Sequence, residues 1–172
     1  MKKAVILVVL IALIGLVTPA AQQPAQQPAQ QPAQQPDARL FALGSVGASN
    51  LYFSYLVLGT VADSYASERY TPETARTLAE ESVGLNANSR DALNELLASD
   101  MLEGADRRVV EEMVRAHELL IAQGYGLIDM IDELDTGDEF QHYRGLAWEQ
   151  ISALFGPDGP EQPEPEQPQD TE

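Results

Sequence analysis

Through the middle of the chain apolar residues return every three or four positions, which is the period of an amphipathic α-helix. A first stripe of Leu51, Tyr55, Leu58, Ala62 and Tyr65 predicts a helix over roughly Ser45 to Glu68. Tyr70-Thr71-Pro72-Glu73 closes it and opens the next. Thr71 suits the N-cap, Pro72 the first helical position, and Glu73 the positive end of the helix dipole. The second helix, Pro72 to about Ala98, carries Ala75, Leu78, Ser82, Leu85, Ser89, Ala92 and Leu96, a stripe of mostly small residues. A break around Gly104 leads to a third helix ending near Leu134, with Val110, Met113, His117, Leu120, Gly124, Leu127, Ile131 and Leu134 in phase. Asp135-Thr136-Gly137 reads as a turn and Thr136 to Glu139 as a capping box. The last helix holds Phe140, Tyr143, Ala147, Ile151 and Leu154, and stops at Gly156-Pro157, a glycine followed by a breaker.

Short turns make each consecutive pair of helices antiparallel, and nothing alternates with period two. The expected fold is therefore all-α, an up-down-up-down antiparallel four-helix bundle. Its first helix is apolar enough over Val46 to Ala62 to require a membrane check. Ser49, Asn50, Ser54 and Thr60 interrupt that stretch, which favours a central bundle helix, apolar around most of its circumference.

The termini differ in kind from this core. Lys2 and Lys3 precede an almost unbroken run of Val, Ile, Leu and Ala from Ala4 to Val17, and Thr18-Pro19-Ala20-Ala21 supplies small residues for cleavage. That is the layout of a secretory signal over 1–21, with cleavage expected at Ala20 and Ala21. Counting the apolar run on to Ala21 approaches the roughly 20 residues of a membrane span, so an uncleaved N-terminal anchor is the competing expectation. No cysteine follows for lipid attachment. Four copies of Ala-Gln-Gln-Pro end at Pro36, and residues 22–36 have the composition of a disordered, extended tether. The segment 37–156 has the length of one domain. Residues 157–172, with six acids, no base and no large hydrophobe, read as a disordered acidic tail.

Charge removes whole classes of function. The chain has 27 acidic residues against 10 Lys plus Arg, a net charge of -17. Both lysines lie in the signal, so cleavage would leave -17 less two positive charges, or about -19. A polyanion of that size repels nucleic acid and anionic lipid. There is no cysteine, hence no disulfide, thiol nucleophile or zinc-thiolate site.

Candidate chemistry is sparse. Glu139 and His142 form a single ExxH, whereas di-iron bundles need two. In the expected register His117 lies about 20 Å from His142, too far to share a metal. Glu139 also serves the capping box. The acids Glu68, Glu73, Asp129, Asp132, Glu133, Asp135, Asp138 and Glu139 gather at one end of the bundle, where hard divalent cations could bind, yet no EF-hand spacing is present and helix ends of an acidic protein collect carboxylates. No triad or GxSxG motif occurs. Catalytic, cofactor and metal sites are therefore not expected, nor is enzymatic activity.

His117 sits in the apolar stripe, level with Asn86 of the second helix, as a core-edge histidine or a ligand contact. Gly126 and Gly145 are placed at one level of adjacent helices, there for close packing or to leave room for a ligand. Trp148, the only tryptophan, either covers the core or lines a groove. Two functions remain. One is an exported, non-catalytic interaction or structural module of the bacterial envelope, periplasmic or secreted, acting on an envelope protein. The other is a bundle that binds a small molecule or divalent cation.

Overall fold

The structure, a computed structural model, describes residues 38–156 and Gln162. The signal, its cleavage residues Ala20 and Ala21, the linker 22–36 and all of the tail but Gln162 lie outside the described residues. Four helices form an all-α bundle: α1 (Ala38–Ala66), α2 (Pro72–Ala98), α3 (Gly104–Ile131) and α4 (Asp138–Phe155). Successive helices run antiparallel. The hub is α3, which packs against the other three, while α2 and α4 do not meet.

Local chemistry explains most of the boundaries. Thr71 is extended at φ -69 and ψ 157 and its side chain accepts from the Thr74 amide, with Pro72 opening α2 as expected. Three helices end on non-glycine residues with positive φ, namely Glu68 at 57°, Asp100 at 54° and Glu133 at 60°. After Glu68 the amide of Arg69 donates back to the Ser64 carbonyl at 2.8 Å, and after Glu133 that of Leu134 donates to Asp129 at 2.8 Å. Both are Schellman closures, which satisfy carbonyls the helix leaves open. The expected capping box at Thr136 is not what starts α4. A carboxylate oxygen of Asp135 accepts from the Gly137 amide at 2.7 Å and the Glu139 amide at 3.3 Å, while Thr136 donates to Asp138. Gly137, at φ 93°, makes the turn.

The stripes of α1 and α4 pack largely as read, with Leu51, Tyr55, Leu58, Ala62, Phe140, Ala147 and Ile151 buried and Tyr65, Tyr143 and Leu154 half-buried. In α3 the stripe holds from Val110 to Ile131, and Leu134 lies beyond the helix and is exposed. In α2 the expected stripe is buried at Ala75 and Ser82 but fails at Leu85 and Ala92, which are exposed. The buried positions are Ala75, Ala79, Ser82, Val83, Asn86 and Leu93, whereas Leu85 points outward, 67 % exposed. Small apolar side chains on several sides of α2 make two phases nearly equivalent, and packing against α3 selects the other one.

The first helix is also corrected. It begins at Ala38, seven residues before the expected Ser45, and it is not the central helix. The stretch Arg39–Ala66 is long and apolar enough to cross a membrane by length and composition, yet only 17 % of its most apolar window is buried in the bundle. Its apolar character therefore extends well beyond what core packing uses.

Candidate functional site

From Leu40 to Ala62 no residue of α1 is charged, in a chain of net charge -17. One stripe of this helix, Leu51, Tyr55 and Leu58, enters the core. The opposite surface carries Val46 and Phe53, exposed by 70 % and 64 % and aligned by their seven-residue spacing. Across a shallow groove of about 270 Å³ stand Leu78 and the outward Leu85 of α2, with Glu81 on the rim. Phe41 and Val109 are exposed at a second cleft, about 610 Å³, where the start of α1 meets α3 and the end of α4. Its walls are Leu40, Leu43, Ala48, Met113 and Leu154, and Asp106 is its acid. Exposed apolar surface of this extent is unusual on a soluble monomer and marks binding surfaces.

The expected candidates fall in different places. His117 and Asn86 meet as the register implied, Nδ1 to Oδ1 at 2.8 Å, both about 2 % exposed. The Asn86 amide nitrogen donates to the Ser82 carbonyl at 2.8 Å, so its oxygen accepts from the imidazole. Burial pushes the imidazole down from 6.5 to about 4, which keeps it neutral. His117 is thus a partnered link between α2 and α3.

Gly126 does lie at a tight contact, but not with Gly145. A Cβ on Gly126 would stand 2.8 Å from the Phe140 amide nitrogen, whereas one on Gly145 would meet nothing within 4 Å. Gly145 is exposed. The pairing fails because α3 stops at Ile131 and the turn is not centred on Thr136. Trp148 packs its ring 5.4 Å from Tyr55 and 6.3 Å from Tyr52, and Tyr52 also meets Phe155. These aromatics form the seam between α1 and α4.

Among the described residues no three of His, Asp and Glu gather as metal ligands would. At the acidic end Asp132 takes the guanidinium of Arg76, and Asp135 is committed to the α4 cap. His142 is exposed and packs edge-on against Tyr143.

Two polar residues escaped the sequence reading. Gln123 is fully buried with neither side-chain amide atom hydrogen-bonded, and Arg144 is 7 % exposed with its Nε unpartnered. Gly126 touches Phe140, so Gln123, one turn back on α3, is nearly level with Arg144, one turn on along α4. The Arg144 guanidinium lies 5.9 Å from the ring centres of both Tyr55 and Phe140, and its Nη2 is 3.3 Å from where a Cβ of Gly59 would stand. Cation–π attraction holds it there. Their spacing was the available signal. Gln123 is three residues from Leu120 and four from Leu127, and Arg144 is four from Phe140 and three from Ala147.

Compared with known proteins, the chain matches no protein family, no curated protein and no solved structure.

Proposed function

We propose that this protein is an exported, non-catalytic binding module of the bacterial envelope, periplasmic or secreted, held on its Ala-Gln-Gln-Pro tether and docking an envelope protein through the outer face of α1. The observation that carries this reading is the charge-free stretch of α1 from Leu40 to Ala62, which exposes Val46 and Phe53, with Phe53 beside Leu78 and Leu85. Such a face fits an apolar helix laid along the groove. The rim residue Glu81 and the net charge of -17 favour a partner with basic flanks over a second copy of this acidic chain. The lysine-flanked apolar N-terminus supports export.

The reading is tested by a photo-crosslinking amino acid at Phe53 in the native host, with Leu134, equally apolar and exposed on another part of the surface, as the control position. One envelope protein crosslinked from Phe53, and lost with Val46→Glu, is the expected result. Adducts only between copies of this chain, or equal capture from both positions, would overturn it.

The alternative of a small-molecule binder draws support from the apolar cleft beside Met113 and Phe41. It predicts that filling the cleft with Ala48→Trp abolishes binding of a fluorescent apolar probe. The cleft is open and lies at one end of the bundle, away from the buried polar groups, and this makes it the weaker reading.

A further inference from the structure

The apolar surface of α1 is larger than the ordinary uses of such a helix explain. A core helix of a soluble protein is apolar because it is buried, yet only 17 % of the most apolar window of Arg39–Ala66 is buried in the bundle. A signal sequence is apolar because it enters the export machinery, but α1 begins at Ala38, beyond the cleavage expected at Ala20 and Ala21. Between Arg39 and Asp63 no side chain carries a charge. That stretch of about 23 residues is about 34 Å long as a helix, and the hydrocarbon core of a bilayer is about 30 Å thick. Within it Ser49 returns its hydroxyl to the Ser45 carbonyl at 2.8 Å, the bond by which a helix carries a hydroxyl in an apolar medium.

The way α1 docks also favours its departure. Two of its residues stand over Arg144 of α4: the guanidinium is 5.9 Å from the ring centre of Tyr55, and Nη2 is 3.3 Å from where a Cβ of Gly59 would stand. The Nε of Arg144 is buried and has no hydrogen-bond partner among the described residues. A buried donor left unmet opposes the state that buries it, and lifting Tyr55 and Gly59 off the guanidinium opens it to water. The other three helices stay connected without α1, because α2 and α4 each pack on α3.

We propose that α1 is a releasable helix that leaves the bundle and crosses a bilayer of zwitterionic lipid, with Arg39 and Asp63 at the two surfaces. The net charge of -17 commits it to that composition, since anionic headgroups repel the chain. Leu51, Leu58 and Val61 exchange an apolar core for an apolar solvent, whereas Val46 and Phe53 leave water for it, so the transfer gains apolar burial. Insertion does not depend on the docking face proposed above: the groove beside Leu78 and Leu85 belongs to the docked helix and the bilayer to the released one.

The protein has no cysteine, and Trp148 is its only tryptophan, so release and insertion can be read separately. In the full chain an NBD fluorophore on Phe53→Cys should shift its emission to the blue when small phosphatidylcholine vesicles are added, because it enters hydrocarbon. The near-UV circular dichroism of Trp148, fixed by its packing on Tyr52 and Tyr55, should be lost over the same range of lipid concentration. The signal 1–21 binds vesicles by itself, but neither probe lies in it. Ser49→Asp places a charge near the middle of the uncharged stretch, at a position exposed in the docked helix, and should raise the lipid concentration needed for both changes about a hundredfold. A blue shift with the Trp148 signal intact would mean that α1 touches the membrane without leaving the bundle. No shift, or a shift indifferent to Ser49→Asp, would mean that it does not enter lipid. Each of these results overturns the proposal.

Discussion

Gly126 rests against the backbone of Phe140: a Cβ there would come within 2.8 Å of the Phe140 amide nitrogen and 3.0 Å of its Cα. Backbone atoms cannot turn aside as a side-chain tip can, so α3 and α4 must separate to admit a methyl group. Gly126→Ala should destabilise the bundle by about 1 to 3 kcal/mol. Gly145, with open space around it, should behave oppositely, and Gly145→Ala should stabilise by up to about 1 kcal/mol through helix propensity. The sites share no contact, so the double mutant should be additive. Thermal unfolding of the three variants checks all of this, and a stabilised Gly126→Ala would refute the close approach.

Leu120 and Leu85 make a second contrast. Leu120 is fully buried in α3, and its truncation to Ala should cost about 2 to 5 kcal/mol. Leu85 is 67 % exposed, so Leu85→Ala should stay within about 0.5 kcal/mol of the parent. Urea unfolding at neutral pH separates the two outcomes. A large loss at Leu85 would restore the other phase of α2.

His117 should give the stability a pH dependence of known sign. Folded, its imidazole is held at about 4 by burial, and unfolded it returns to about 6.5. The unfolded chain therefore binds the extra proton between those values, so the stability His117 contributes is present above about 6.5 and declines as pH falls toward about 4. His117→Gln keeps a donor for Asn86 but does not titrate. The margin of the parent over this variant should shrink across that window, because groups common to both proteins cancel in the comparison. A margin constant from pH 7 to pH 4 would contradict a buried neutral imidazole.

The start of α4 tests the reassigned cap. Asp135→Ala removes the acceptor of the Gly137 and Glu139 amides and should cost about 0.5 to 2 kcal/mol. Thr136→Ala, which removes only an exposed hydroxyl bonded to Asp138, should change stability by less than about 0.5 kcal/mol. Reversal of that order would reinstate the Thr136 capping box.

Much of the fold is legible in the sequence because its signals are local. Thr71-Pro72 fixes the start of α2, and Gly156 the end of α4. The His117–Asn86 pair could be read from register because both residues lie far enough inside their helices for a broad stripe to set the level. Gly126 and Gly145 lie close to a turn, where an error of a few residues in its centre changes the partner. That error came from Glu133, which adopts a left-handed conformation without being glycine and ends α3 early. The outward face of α1 was illegible for a different reason. Hydrophobicity reports how apolar a helix is, but not how much of that surface its neighbours cover.

The position of α3 as the common neighbour of the other helices has a consequence for the order of events on the ribosome. Translation produces α1 first, yet Leu51, Tyr55 and Leu58 have no core to enter until Gly104–Ile131 has been made. Throughout that interval α1, free of charge from Leu40 to Ala62, has only α2 to pack against. By contrast, α2, α3 and α4 can pair through short turns as they emerge, because local contacts form fastest. The first helix synthesised is thus the last to be docked, and a nascent chain arrested before α3 is complete presents α1 as a substrate for holdase chaperones.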